Sequence, residues 1–136
     1  MLLVDTGPLV ATADRDDADH QRCRELLEGH PGPLVTTPLV IAEAAYLIDR
    51  QLGSVAEAAL FASITERVLH VEDLIDADWI RIGELVTVYG DLRLGGTDAS
   101  VVALAERLHI STIATLNHRD FHVVRPRHVP TFTLLP

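Results

Sequence analysis

Three carboxylates stand where local pairing does not account for their charge. Asp5 ends the apolar run MLLVD, Glu43 lies inside PLVIAEAAYLI, and Asp98 follows Thr97 at the head of DASVVALAERL. In helical register the neighbours of Glu43 one turn away are Leu39, Val40, Tyr46 and Leu47, and the nearest arginine on that face, Arg50, is two turns off. An ionised carboxylate in such surroundings is costly unless something compensates. A bound cation compensates; a helix edge that reaches water, or a partner from a distant segment, is the alternative. Asp5 alone reads as a turn former before Thr6 and Gly7. Asp98 alone reads as a first-turn acid behind a Thr97 N-cap, worth a few tenths to about 1 kcal/mol through the helix dipole. Together, three acids at the mouths of separate elements suit a hard divalent cation, which takes oxygen ligands and keeps waters. Such a cation orients or deprotonates a water and stabilises charge on a phosphoryl oxygen, which is the chemistry of phosphodiester hydrolysis.

The elements that must position these acids follow from periodicity and breakers. Met1 to Val4 reads as a buried strand, and Pro8 starts a short helix over Leu9 to Ala13. Ala18 to Glu28 reads as a polar helix stopped by Gly29 and the HPGP that follows, and Leu34 to Thr37 as a strand. Pro38 suits the first turn of a helix running to about Gln51, Gly53 ends it, and Ser54 caps the next helix, Val55 to Arg67. Val68 to Val71 is strand-like, and Trp79, Ile82, Val86 and Tyr89 recur at helical spacing between Leu74 and Tyr89. After Gly95 and Gly96, Thr97 opens a helix over Asp98 to Leu108; Ile110 to Leu116 and Val129 to Leu134 read as further strands. Strands alternating with helices imply one α/β domain over residues 1–136, with a parallel sheet covered on both faces and its site at the carboxyl ends of the strands.

Composition removes several classes of function. All 11 basic residues are arginine, which excludes any mechanism needing a lysine nucleophile or phosphate clamp. The single Cys23 forms no internal disulfide, so a reducing cytoplasm is the expected compartment. The longest apolar stretch, Pro38 to Ile48, contains Glu43 and is too short to span a membrane. A net charge of −9 opposes binding to a phosphate backbone unless the acids cluster where bound metal offsets them.

The segments MLLVDTGPLVA, PLVIAEAAYLI and GGTDASVVALAERLHISTIATLNHRDF, taken in that order, resemble a PIN domain, most closely a VapC-type toxin ribonuclease. The resemblance runs essentially from end to end. It implies a three-layer α/β/α sandwich with a mainly parallel sheet, and places Asp5, Glu43 and Asp98 on an acidic cluster binding Mg²⁺ or Mn²⁺. Asn117 falls on the fourth position of that cluster, and Thr6 and Thr115 fall on supporting hydroxyl positions. The resemblance further implies metal-dependent RNA cleavage, a homodimer, and neutralisation by a small VapB-type antitoxin. Because Asn117 carries no charge, one tight metal is expected rather than two, with Asp120 as the substitute acid if it turns inward. Arg15, Arg93, Arg119, Arg125 and Arg127, together with His118, are candidate RNA contacts, each set against plain solvated surface charge.

Other readings are weaker on these residues. Asp5-Thr6-Gly7 matches the aspartic-protease signature, but those proteins are almost wholly β and this chain reads as largely helical. Phosphoryl-transfer enzymes of the haloacid dehalogenase type and receiver domains also place an aspartate after a first strand, and both rely on a lysine. A PIN-like interaction module with a weakened site is the non-enzymatic alternative, kept open by Asn117. His118 and His122 would form a zinc pair only on a helix, and no third nitrogen or thiolate ligand accompanies them.

Overall fold

In the computed structural model, which describes residues 1–136, five three-residue strands form one all-parallel sheet in the order β3-β2-β1-β4-β5. The strands are β1 (Leu2–Val4), β2 (Leu34–Thr36), β3 (Leu69–Val71), β4 (Thr112–Ala114) and β5 (Thr133–Leu135). The helices are α1 (Thr6–Ala13), α2 (His20–Gly29), α3 (Pro38–Leu52), α4 (Ser54–Thr65), α5 (Asp76–Val88), α6 (Gly96–Leu108) and α7 (His118–Val123). A parallel sheet needs cover on both faces, and alternation along each strand supplies it. Leu2, Val4 and Ala114 pack with Val10, Ala44, Ile48 and Leu60 from α1, α3 and α4. Leu3, Val35 and Ile113 face the other way, onto α5, α6 and Phe121 of α7. Helix α6 is buried without interruption from Ala99 to Ala105, as expected of a helix lying across the central strands. Each large aliphatic side chain so buried contributes about 1.5–3 kcal/mol.

Local chemistry differs from the sequence expectation at the helix starts. Thr37 caps α3, accepting the Val40 N–H at 3.1 Å. Ser54 does not cap α4: Gly53, at φ +90, is its N-cap and also closes α3, so a glycine lets two helices meet without a linker. Thr97 is not the cap of α6 either. That cap is Gly95, and Thr97 and Asp98 are the second and third residues of the helix. Helix α1 begins at Thr6, directly after Asp5, rather than at Leu9. The strand expected over Ile110 to Leu116 is only Thr112–Ala114, which frees the residues after it for a turn and for α7, a helix too short to show a period. The parallel α/β architecture rules out the aspartic-protease reading.

The order β3-β2-β1-β4-β5 places its switch point between β1 and β4, and the crevice there, at the carboxyl ends, is where open α/β sheets bind ligands. Gly7 keeps this crevice tight: a Cβ there would come within 3.2 Å of Leu116, in the loop after β4. No helix is long and apolar enough to cross a membrane.

Candidate active site

Asp5 stands at the switch point. Its backbone N–H donates to the Ala114 carbonyl at 2.9 Å, which fixes the end of β1 beside the end of β4. The side chain is 5% exposed, yet it makes no capping bond to α1. Thr115 donates its hydroxyl to Oδ2 at 2.8 Å, while Oδ1 is buried with no partner. Burial pushes the Asp5 carboxyl above its ordinary range; the Thr115 hydroxyl and then the Thr6 backbone N–H oppose that shift, and the charge of Glu43 adds to it.

Of the two readings open for Glu43, the structure takes the helix edge that reaches water, with a partner from a distant segment. Glu43 is exposed, on the edge of α3 that reaches water, with Tyr46 59% exposed beside it. What holds it is Thr6, whose hydroxyl donates to Glu43 Oε2 at 2.6 Å. Thr6 directly follows Asp5, so a single turn at the start of α1 brings these two acids together.

Asp98 reaches the same crevice from the first turn of α6. Its carboxyl is pushed up to about 7, first by burial and then by the negative charges of Asp5, Glu43 and Asp120. Asp120 is the last of these contributors, and its own carboxylate is held by the Asn117 amide. Asn117 is engaged rather than free to hold a ligand: it caps α7 by accepting the Asp120 N–H at 3.4 Å, and its amide donates to Asp120 Oδ2 at 3.0 Å. Thr115 serves both sides of this corner, accepting the Asn117 N–H at 3.0 Å while donating to Asp5.

None of the ion pairs in the molecule includes Asp5, Glu43 or Asp98. Asp120 has only Arg119, at 3.9 Å, whose side chain is 88% exposed. No three carboxylate, imidazole or thiolate groups, as they stand, close around a common point. The set nonetheless suits a hard cation: its donors are oxygens, one buried carboxylate oxygen is unpartnered, and the acids raise one another's affinity for positive charge.

The candidate RNA contacts separate by position. Arg93 is exposed at φ +57 in the turn leading to α6, close in sequence to Asp98, and His118 and Arg119 open α7 beside Asp120. Arg15 lies beyond the far end of α1, roughly 12 Å along the helix from Thr6. Arg125 is turned to the carbonyls of His122 and Val124, and Arg127 pairs with Glu84 at 2.9 Å. His118 and His122 do lie on one helix, with ring centroids 6.0 Å apart, but no third ligand joins them.

Residue-type reasoning missed three hydroxyls behind the site. Thr36 donates to the carbonyl of Val4, one residue before Asp5, at 2.7 Å, and Thr37 pairs with Ser100 at 2.8 Å. All three are completely buried. Two consecutive threonines ending a strand, and one serine inside an otherwise apolar helical run, were the available signals.

Four acids on a parallel-sheet switch point now stand beside what the chain is similar to. The model of the PIN domain matches residues 2–125. The chain belongs to the PIN-domain family. Within it, Ribonuclease VapC26 of Mycobacterium tuberculosis (strain ATCC 25618 / H37Rv) is 33% identical over 135 residues, covering 99% of this chain and 100% of the relative. This places the PIN domain among VapC-type proteins. In fold it resembles M. tuberculosis VapC20, described as a sarcin-ricin loop cleaving toxin, with TM-score 0.78 and 23% identity over 83% of this chain and 87% of that one. It also resembles VapBC2 from Rickettsia felis bound to a promoter DNA fragment (TM-score 0.66, 18% identity, 98% and 96% covered). FitAcB from Neisseria gonorrhoeae gives the same TM-score, 0.66, at 11% identity, with 100% and 97% covered.

Proposed function

We propose that this PIN domain is a Mg²⁺- or Mn²⁺-dependent endoribonuclease, the toxin of a toxin–antitoxin pair. What supports the metal site is the chemistry at the β1/β4 crevice: Thr115 holds one Asp5 oxygen while the other is buried without a partner, Thr6 ties Glu43 in beside it, and Asp98 lies close enough for their charges to raise its carboxyl. The ribonuclease and toxin parts draw on the relative VapC26 and on the toxin–antitoxin proteins whose fold the chain shares.

Asp5, Glu43 and Asp98 would hold the ion, with Asp120 rather than Asn117 as the fourth acid. When bound, such an ion supplies charge stabilisation for phosphoryl oxygens and a water of lowered pKa. Thr115 holds one Asp5 oxygen and leaves the other without a partner, and Thr6 holds Glu43 against its many solvent-facing rotamers. Asn117 fixes Asp120 at the start of α7. Arg93, His118 and Arg119 would meet the RNA backbone, where arginine offers bidentate phosphate contacts.

An apolar cleft of about 300 Å³ between α1, α2 and α4, lined in part by Leu9, Leu27, Ala59 and Leu60, contains none of the four acids. The partner reading draws instead on the toxin–antitoxin proteins whose fold the chain shares. Homodimerisation is part of the same reading.

RNA cleavage with Mg²⁺ or Mn²⁺, with and without chelator, tests the enzyme: the intact protein should cleave, and Asp5→Ala and Glu43→Gln should not. Chelator-resistant cleavage, or full activity in both variants, overturns the metal mechanism. Co-purification from the native host tests the partner, and an unaccompanied monomer would count against the toxin assignment.

A further inference from the structure

Helix α6 is buried from Ala99 through Ala105, and Ser100 is the one polar side chain in that run. Alanine or valine would fill its place among apolar neighbours, so its hydroxyl is expected to have a use, since a buried hydroxyl without a partner is costly. Ser100 Oγ donates to the Thr97 carbonyl at 2.6 Å. It also lies 2.8 Å from Thr37 Oγ1, across 63 residues of sequence. A serine has one proton, so with that proton committed to Thr97 the pair has a fixed sense: Thr37 donates and Ser100 accepts. Thr37 in turn accepts the Val40 N–H at 3.1 Å. The result is a one-way chain of bonds, Val40 N–H to Thr37 hydroxyl to Ser100 hydroxyl to Thr97 carbonyl, with Thr37 and Ser100 both fully buried.

The two ends of this chain are the first turns of α3 and α6. Val40 lies one turn before Glu43, and Thr97 directly precedes Asp98. Thr6 and Thr115 grip Glu43 and Asp5 through their carboxylates. The Asp98 side chain has no such grip, and what holds it is its backbone.

We propose that Thr37 and Ser100 form a buried hydroxyl relay that positions Asp98 relative to Glu43, making both hydroxyl residues positioning residues for the acid site. The proposal rests on the reading of that site as a divalent-metal site. It assigns no contact between the relay and the ion.

The test is Mn²⁺ titration of the full chain after chelator treatment, followed by water-proton relaxation, with folding of each variant checked by thermal melt. Ser100→Ala should weaken Mn²⁺ binding about tenfold, the range typical of groups that orient metal ligands. Thr37→Val, which removes the hydroxyl at nearly constant shape, should do the same, while Thr37→Ser should bind close to the intact protein. Asp78→Asn, which loosens the molecule far from the crevice, should leave Mn²⁺ affinity unchanged. Intact affinity in both Ser100→Ala and Thr37→Val overturns the relay, as does an equal loss in Asp78→Asn, which would make the effect one of general stability. If Ser100→Ala fails to fold, the contrast between Thr37→Val and Thr37→Ser decides. Absence of Mn²⁺ binding by the intact protein overturns the site reading itself, and the relay with it.

Discussion

Two aspartates in this protein are almost equally buried and serve opposite ends. Asp78, 3% exposed, receives the Arg107 guanidinium at 3.0 and 3.1 Å and the Ile75 N–H at 3.0 Å, and Arg107 also donates to the Asp73 carbonyl. Arg81 and Glu106 form a similar pair beside it at 2.8 Å, so the α5–α6 seam neutralises its own charges. Asp5, 5% exposed, has a hydroxyl on one oxygen and nothing on the other. Burial alone therefore does not separate an acid whose charge the fold compensates from one whose charge it leaves open. The separation comes from whether the fold supplies the countercharge or leaves it to a ligand.

The strongest way to break that contrast is to neutralise each aspartate. Asp5→Asn should lower RNA cleavage by at least about a hundredfold, since losing a ligand should exceed the effect of losing a group that orients one. Its metal-free stability should hold or rise, because an uncompensated buried charge is removed. Asp78→Ala should do the reverse. Breaking a buried pair costs about 3–5 kcal/mol, and the lower end is expected because Arg107 keeps 26% exposure and can reach water. Urea denaturation and cleavage assays on both variants check this; a destabilised Asp5→Asn or an inactive but stable Asp78→Ala would erase the distinction.

A smaller effect should follow from the hydroxyl that half-satisfies Asp5. Thr115→Val strips Oδ2 of its donor and the Asn117 N–H of its acceptor, loosening both the acid and the corner that carries Asp120. Mn²⁺ affinity should fall about tenfold. Unchanged affinity would mean that β4 alone fixes Asp5.

Why these acids could be picked out from the sequence, and their supports could not, has a physical basis. Asp5 was legible because a strand ending in a carboxylate is a local pattern, and the order of strand, helix, helix and corner determined which elements meet. Glu43 stood out because no one-turn neighbour can pair with its charge, and which of its two readings holds depends on burial that residue type does not fix: Tyr46 is exposed and Leu39 and Leu47 are half-buried, so the helix edge reaches water. Asn117 matched a site position by type, yet its amide is spent on capping α7, a six-residue helix with no readable period. The Asp78–Arg107 and Thr37–Ser100 contacts bridge 29 and 63 residues, and no local pattern encodes such pairings.

Acidity offers a further comparison of filled and unfilled countercharge. The folded Asp98 carboxyl sits at about 7 against an ordinary 3.8, so between those values the native state holds a proton that the unfolded chain has lost. The stability this contributes is complete below about 4 and disappears as pH rises through about 7. Asp5 shifts in the same direction. Chelated protein should therefore melt a few degrees lower at pH 8 than at pH 5, a modest change because Asp98 is only half-buried and water screens it. Mn²⁺ should restore more of the melting temperature at pH 8 than at pH 5, since metal and proton compete for the same oxygens. Equal stabilisation at both pH values would place the bound ion elsewhere.

The last contrast lies where the crevice meets α7. Asparagine and aspartate cap helices about equally well, so the cap itself should be little changed in Asn117→Asp, but the lost bond to Asp120 should lower metal-free stability by about 1.5–3 kcal/mol. Its electrostatic effect is larger in kind: the bond from the Asn117 amide to Asp120 is lost, and a fifth carboxylate joins Asp5, Glu43, Asp98 and Asp120. The intact protein, with Asn117 uncharged, should bind one Mn²⁺ tightly, and Asn117→Asp should add a second, weaker equivalent. Two tight equivalents in the intact protein would show that Asp120 already supplies the missing charge and that Asn117 limits nothing. A single equivalent in both would mean that the spacing of the crevice, rather than its charge, sets how many ions it holds.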